Sequence, residues 1–303
     1  MQSMGPGALH GVRILDLSRI LAGPSATQLL GDLGADVVKV EKPDEGDDTR
    51  KWGPPYVVGR DGKDTDESAY YLSANRNKRS IAVDIATGKG RELLLRLLEN
   101  ADVLVENYKV GGLEKHGLDY QTLRKQFPGL VYCSVTGFGQ TGPYAKRAGY
   151  DFLIQGMGGI MSLTGEADGT PMKVGVGIAD VMTGMYAAVG ILAALRHRDA
   201  TGQGQHIDIS LLDSQIAWLV NAGTNYLTSG NLPRRLANGH PNIVPYQVFE
   251  ASDGPMILAV GNDSQFRKFC EAAGEAQLAD DPRFNTNIAR IEHRAAVCEK
   301  VQG

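Results

Sequence analysis

The sequence predicts an α/β protein: a Rossmann-like large domain with a mostly parallel sheet over residues 1–228, followed by a smaller α+β domain over residues 229–303. From Val12 to Thr136, short runs rich in β-branched residues alternate with helix-period segments, the pattern of strands joined by crossover helices. After Leu227 that pattern is broken by Thr228-Ser229-Gly230-Asn231-Leu232-Pro233-Arg234-Arg235. Beyond the break, a hairpin signal gives way to two further helices.

Strands are expected at Val12–Leu17, Asp36–Glu41, Ser80–Ile85, Asp102–Glu106 and Val131–Thr136. Helices are expected at Ser25–Leu33 and at Gly88–Asn100, where Leu93, Leu94, Leu97 and Leu98 recur at helical spacing. Residues 46–68 are rich in Gly, Pro and Asp without apolar periodicity and read as a long irregular surface excursion. A further helix is expected from Val181 to Arg198. Its apolar stretch Met185–Leu195 is too short to span a bilayer and reads as buried. In the smaller domain, Val248–Ala251 and Met256–Val260 form a hairpin, followed by helices Ser264–Ala273 and Asn287–Val301.

With 303 residues, 42% of them hydrophobic, the chain can bury a substantial core. Its formal net charge of -4 offers no global positive field for a nucleic acid or an anionic membrane, so an anionic ligand must be caught by local charges. Three cysteines without C-x-x-C spacing argue against a disulfide framework or a zinc site and fit a reducing compartment. Six histidines lack metal-ligand spacing, so no metal is expected. The opening Met1-Gln2-Ser3-Met4-Gly5-Pro6 lacks the pattern of a signal or transit peptide; a leader, if one existed, has been removed.

Three segments can carry chemistry. In Leu15 to Pro24 a strand runs through a Gly-Pro turn into a helix, which presents backbone N–H groups to an anion, although an ordinary connection has the same form. Arg76, Lys78 and Arg79, joined by Lys39 and Lys42, could hold phosphates or be solvated surface. Asp151 and Asp180 each open a helix-like run, so each has a capping role as its alternative. Asp180 differs in its glycine-rich apolar approach, Val174-Gly175-Val176-Gly177-Ile178-Ala179, which lets a ligand come close to the backbone. A carboxylate in that setting can serve as a nucleophile.

Several longer blocks recur in order: Leu15 to Pro24, Gly31 to Glu41, Gly46 to Arg50, Asn77 to Ile81, Val105 to Tyr108, Gly149 to Asp151 and Gly190 to Leu195. Together they resemble the class III CoA-transferases, the family that includes formyl-CoA transferase and carnitine CoA-transferase. The resemblance implies Asp180 as the nucleophile, with Tyr150 and Asp151 near the reacting centre at the positions of a tyrosine and a glutamate in formyl-CoA transferase. It also implies CoA contacts from Ile20, Leu21, Ala22, Lys42, Asn107, Tyr108, Lys115 and Arg147. Lys42 and Lys115 stand where that enzyme has arginine, so point charges replace forked phosphate contacts.

By the same resemblance, coenzyme A is a substrate rather than a tightly bound cofactor. The partners are acyl-CoA, small carboxylic acids and a second copy of the chain in an interlocked homodimer, with no nucleic acid and no membrane insertion. A succinyl-CoA donor and a dicarboxylate acceptor, glutarate or hydroxymethylglutarate, are implied. The implied location is the mitochondrial matrix, with the cytoplasm as the alternative. Arg234, Arg235, His240 and Lys173 are candidates for holding the acceptor's distal carboxylate. The related α-methylacyl-CoA racemases use a histidine where this chain has Tyr150, whose ordinary pKa of about 10 suits it poorly as a base. Family members continue beyond the position of Gly303, so a shortened chain that binds CoA without turnover is the remaining alternative.

Overall fold

The computed structural model describes residues 7–303. Two compact units are present. The first takes the chain up to Ile160 and again from Lys173 to Leu219, and the second holds Met161–Met172 and Val220–Gly303.

The first unit contains β1 (Arg13–Asp16), β2 (Asp36–Glu41), β3 (Tyr56–Val58), β4 (Asp64–Ser68), β5 (Lys78–Ala82), β6 (Val103–Glu106), β7 (Val131–Thr136) and β8 (His206–Ser210). Six of these make one sheet in the order β5-β2-β1-β6-β7-β8, every pair parallel. Its helices are α1 (Ala22–Asp32), α2 (Ala69–Ser73), α3 (Gly88–Leu98), α4 (Tyr120–Gln126), α5 (Asp151–Met157), α6 (Ile178–Thr201) and α7 (Leu211–Ala217).

Both faces of the sheet are covered, which is why its central strands read as unbroken apolar runs. Successive residues of β6 point to opposite sides. Val103 and Val105 join Ile14, Ala26, Leu30 and Ile191 in one core, while Leu104 joins Leu15, Leu94, Leu98 and Leu123 in another. Leu94 and Leu98 of α3 are completely buried, each contributing about 2 kcal/mol by removal of apolar surface from water.

The strand order reverses at β1, whose neighbours are β2 on one side and β6 on the other. The loops leaving the carboxyl ends of β1 and β6 therefore diverge and open a crevice, the usual ligand position in such sheets.

Several elements depart from expectation. Helices α1 and α6 each begin three residues early. In α1 this draws Pro24 into the first turn, where a missing N–H removes no helical bond. Residues 46–68 are not irregular throughout: a short 3-10 turn, Asp48–Lys51, precedes the β3–β4 hairpin. Strand β8, at the sheet edge, was not foreseen; it alternates polar and apolar residues instead of forming an apolar run. Among the described residues, α6 is the one helix long and apolar enough to cross a membrane, and half of its apolar window is buried. Gly184 lets it lie against α1, since a Cβ there would stand 2.7 Å from the Ala22 carbonyl oxygen.

The second unit carries α8 (Val220–Ser229), the antiparallel pair β9 (Tyr246–Ala251) and β10 (Gly254–Ala259), and helices α9 (Asp263–Ala272), α10 (Asn287–Glu292) and α11 (Arg294–Gln302). The single helix expected from Asn287 is thus two, divided at His293. Its core gathers Val244, Val260, Phe266, Phe284 and Val297 around the fully buried Arg290. That guanidinium donates to the carbonyls of Val244 and Phe284 (2.7 Å each) and to Asp263 (2.8 Å), so its charge is not left unpaired.

Candidate active site

The crevice is laced at its base by one side chain. Asn107, directly after β6, accepts a hydrogen bond from Arg19 N (2.9 Å) and donates one to Arg19 O (2.7 Å). The next residue, Ile20, has φ 72°, a left-handed conformation that costs a β-branched residue about 1–3 kcal/mol. The Asp47 carboxylate holds it there, accepting from Ile20 N at 3.2 and 3.3 Å.

Asp47 is anchored in turn by a fully buried ion pair with Lys39 (2.9 Å), and Lys39 donates to Ser18 O (2.8 Å). Beside them Asp16, also fully buried, accepts from Thr27 Oγ1 (2.6 Å) and pairs with Lys78 (3.0 Å). Burial alone would raise the Asp16 carboxyl. The ammonium groups of Lys78 and Lys39, together with the hydrogen bonds from Ser18 and Thr27, outweigh it and bring Asp16 down to about 2. Buried pairs of this kind repay their desolvation only with good geometry; here they fix the loop that bears Ile20.

Across the crevice, α6 starts after Gly177, so Asp180 is the third residue of the helix and not its cap. Burial, and after it the negative charge of Asp151, raise the Asp180 carboxyl from 3.8 to about 7. Asp151 does not cap its own helix either. Its Oδ1 accepts from Ala179 N (2.8 Å) and Asp180 N (3.3 Å), and its Oδ2 accepts from Gln155 Nε2 (2.8 Å). It therefore caps α6 across space and fixes the backbone that carries Asp180.

Ile20, Leu21, Ala22, Asn107, Tyr108, Arg147, Tyr150 and Asp180 line one cleft of about 190 Å³. Asp180 is its only carboxylate among the described residues, and Arg19, Lys109, Lys146 and Arg147 also line it. Helix α1 begins at the cleft wall with no side-chain cap, leaving first-turn N–H groups available to an anion. Gly137 and Gly149 pass each other on the wall, where a Cβ on either would stand 2.6 Å from the other's Cα. Neither position tolerates a side chain without moving the backbone.

Two expected contacts are not brought to this cleft. Lys42 is exposed, pairs with Glu45 at 3.3 Å and lines a separate groove with Arg50 and Lys51. Lys115 lies in the short turn Glu114–His116, away from the cleft lining. The phosphate reading fails for two members of the wider basic cluster, Lys39 and Lys78, whose ammonium groups are buried. Lys39 and Lys78 are buried partners of Asp47 and Asp16, and Arg76 and Arg79 pair with Asp32 and Asp36.

Two residues escaped the sequence reading. Arg19 lies within the Leu15–Pro24 segment, which drew attention for its backbone and not for its side chain. Tyr70 lies in α2, just past the excursion over residues 46–68, and burial followed by the charges of Asp180 and Asp151 raises its hydroxyl. A second cavity of about 350 Å³ shares Tyr108 with the first and contains Glu106, raised by burial to about 7, and the Ser134–His206 contact at 3.0 Å.

The sequence and the fold both have counterparts among known proteins. The model of CoA-transferase family III matches residues 9–303. The chain belongs to CoA-transferase family III. It is 56% identical over 289 residues to the succinate–glutarate CoA-transferase of Agrobacterium fabrum, covering 95% of this chain and 72% of that one. It is 47% identical over 292 residues to the succinyl-CoA:glutarate CoA-transferase of Mus musculus, covering 96% of this chain and 65% of the mouse protein. A CaiB/BaiF family protein from Brucella suis has a solved structure 54% identical to the chain, with a TM-score of 0.84 over 98% of this chain and 78% of that one. The family III chain thus spans somewhat under two thirds to about three quarters of these relatives.

Proposed function

We propose that this family III chain transfers CoA from succinyl-CoA to glutarate through covalent intermediates on Asp180. One observation carries the reading: the cleft holds a single carboxylate, raised to about 7 and mounted on a backbone that Asp151 fixes. The names of the A. fabrum and mouse relatives support the donor and acceptor. At about 190 Å³, the cleft is smaller than the sites that enclose drug-sized ligands, so it takes the acyl-thioester end and leaves the nucleotide outside.

In the proposed sequence, an Asp180 carboxylate oxygen attacks the thioester carbonyl and the C–S bond breaks, releasing CoA thiolate and a mixed anhydride. The thiolate then attacks the aspartyl carbonyl, releasing succinate and leaving an aspartyl-CoA thioester. The acceptor carboxylate attacks that carbonyl in its turn, and the steps reverse to give the new acyl-CoA and free Asp180. A weakly hydrated carboxylate is the better nucleophile, and the burial that raises its pKa removes that water. The first-turn N–H groups of α1 are suited to the tetrahedral oxyanions, because those at Ala179 and Asp180 are already taken by Asp151. Tyr150, which lines the cleft, shapes it beside the acyl group.

A homodimer belongs to the same proposal. In the first unit, Phe152, Leu153 and Met157 on α5, Met185 and Val189 on α6, and Ile216 on α7 are exposed apolar side chains that a second copy can cover.

The test is incubation with succinyl-CoA and a panel of carboxylic acids, with new acyl-CoA species followed by mass spectrometry. Glutaryl-CoA formed by the unmodified protein and not by Asp180→Asn supports the donor, acceptor and nucleophile together. Turnover retained by Asp180→Asn removes the nucleophile assignment.

A further inference from the structure

Among the described residues, four cations line the Asp180 cleft, and they are not equivalent. Lys109, Lys146 and Arg147 are exposed, with the Arg147 guanidinium 4.6 Å from the Tyr144 ring centroid. Arg19 is half-buried, and its backbone is clamped on both sides by Asn107. Among the described residues its guanidinium hydrogen-bonds through NH1 alone, in an exposed pair with Asp48 at 3.2 Å, and it lies over the Tyr108 ring, 5.6 Å from the centroid. Nε is buried and has no hydrogen-bond partner, and NH2 has none among the described residues.

This idle Nε–NH2 edge is the one by which other arginines of the chain hold carboxylates. Arg50 grips Glu41 through Nε and NH2 at 2.8 Å each. Arg79 holds Asp36 through Nε at 3.2 Å and NH2 at 2.7 Å, and Arg283 holds Asp281 through Nε at 3.1 Å and NH2 at 2.7 Å. A buried guanidinium N–H without an acceptor is costly, and an entering carboxylate removes that cost with two charge-assisted bonds.

We propose that Arg19 is the specificity-determining residue that grips the distal carboxylate of a dicarboxylic acyl group while its other end reacts at Asp180. The inference rests on the transferase reading above and deepens it. Two of the four earlier candidates are engaged with the backbone. Lys173 donates to the carbonyls of Val174 and Gly175, and Arg235 to those of Glu166 and Gly169.

The experiment compares glutarate with pentanoate, an acid of equal chain length lacking the second carboxylate, as acceptors for the unmodified protein, Arg19→Gln and Arg19→Lys. Affinity for CoA and thermal melting are measured alongside. Losing hydrogen bonds to a charged group lowers the preference for glutarate over pentanoate by roughly ten- to a hundredfold in Arg19→Gln, expressed mainly in the glutarate KM. Arg19→Lys recovers part of it, since an ammonium keeps the charge and loses the fork. An equal loss for both acids, with weakened CoA binding, would assign Arg19 to a CoA phosphate and overturn the proposal. An unchanged preference would overturn it too. If the unmodified protein transfers CoA to no acid, the transferase reading itself fails; if it transfers without preferring glutarate, only the Arg19 inference does.

Discussion

The raised pKa of Asp180 makes the carboxylate proposed as nucleophile a liability to the folded chain. In the unfolded chain the group has its ordinary value of 3.8, and in the folded protein it sits at about 7. Below pH 4 both states carry the proton and the group has no effect on stability. Between pH 4 and 7 the folded state keeps a proton that the unfolded state has lost, so stability falls as pH rises, and above 7 the loss is complete. A shift of about three units corresponds to about 4 kcal/mol, and solvent in the cleft reduces this to roughly half. Asp180→Asn therefore removes both transfer and the penalty. It should melt like the unmodified protein near pH 4 and higher by roughly 4–8 °C at pH 8, at about 2–4 °C per kcal/mol for a chain of this size. Thermal melts of the two proteins across that range are the assay. Subtracting one curve from the other cancels Glu106, which is also raised to about 7 and is common to both. A melting difference that is constant with pH, or a variant less stable at pH 8, would refute the reasoning.

Other perturbations separate the remaining parts of the site. Asp151→Asn keeps an acceptor for Ala179 N but removes the charge beside Asp180, so the acidic limb of the pH profile of kcat/KM should move to lower pH; an unmoved limb would show that burial alone sets Asp180. Asp151→Ala deletes the cap as well and should cost about 1–2 kcal/mol in urea unfolding. Lys39→Met leaves Asp47 buried without its partner and should cost about 3–5 kcal/mol, whereas Lys42→Met, at an exposed pair, should change stability by less than about 0.5 kcal/mol. Gly137→Ala forces a Cβ to 2.6 Å from Gly149 Cα, so the cleft wall must shift, and transfer should fall at least about tenfold, measured as kcat/KM against a retained secondary-structure spectrum.

The central strands were legible because burial on both faces turns them into unbroken apolar runs, and β2 and β7 keep their expected bounds to the residue. Strand β8 was not, since it lies at the sheet edge and alternates polar with apolar residues in His206-Ile207-Asp208-Ile209-Ser210 instead of forming such a run. The loop after β1 could be singled out from its strand-to-helix turn, and Asp180 from its glycine-rich approach. The roles of their neighbours could not. Lys39 and Lys42 stand three residues apart in one basic run, yet the first is sealed against Asp47 and the second is solvated. Asp151 caps a helix that begins 27 residues later, and Asn107 clamps a peptide 88 residues earlier. Periodicity and turn chemistry are local properties that a sequence states directly. Whether a charge is a ligand contact, a structural pair or a nucleophile depends on which group the fold brings within hydrogen-bond reach, and in this protein the strand reversal at β1 and β6 decided it.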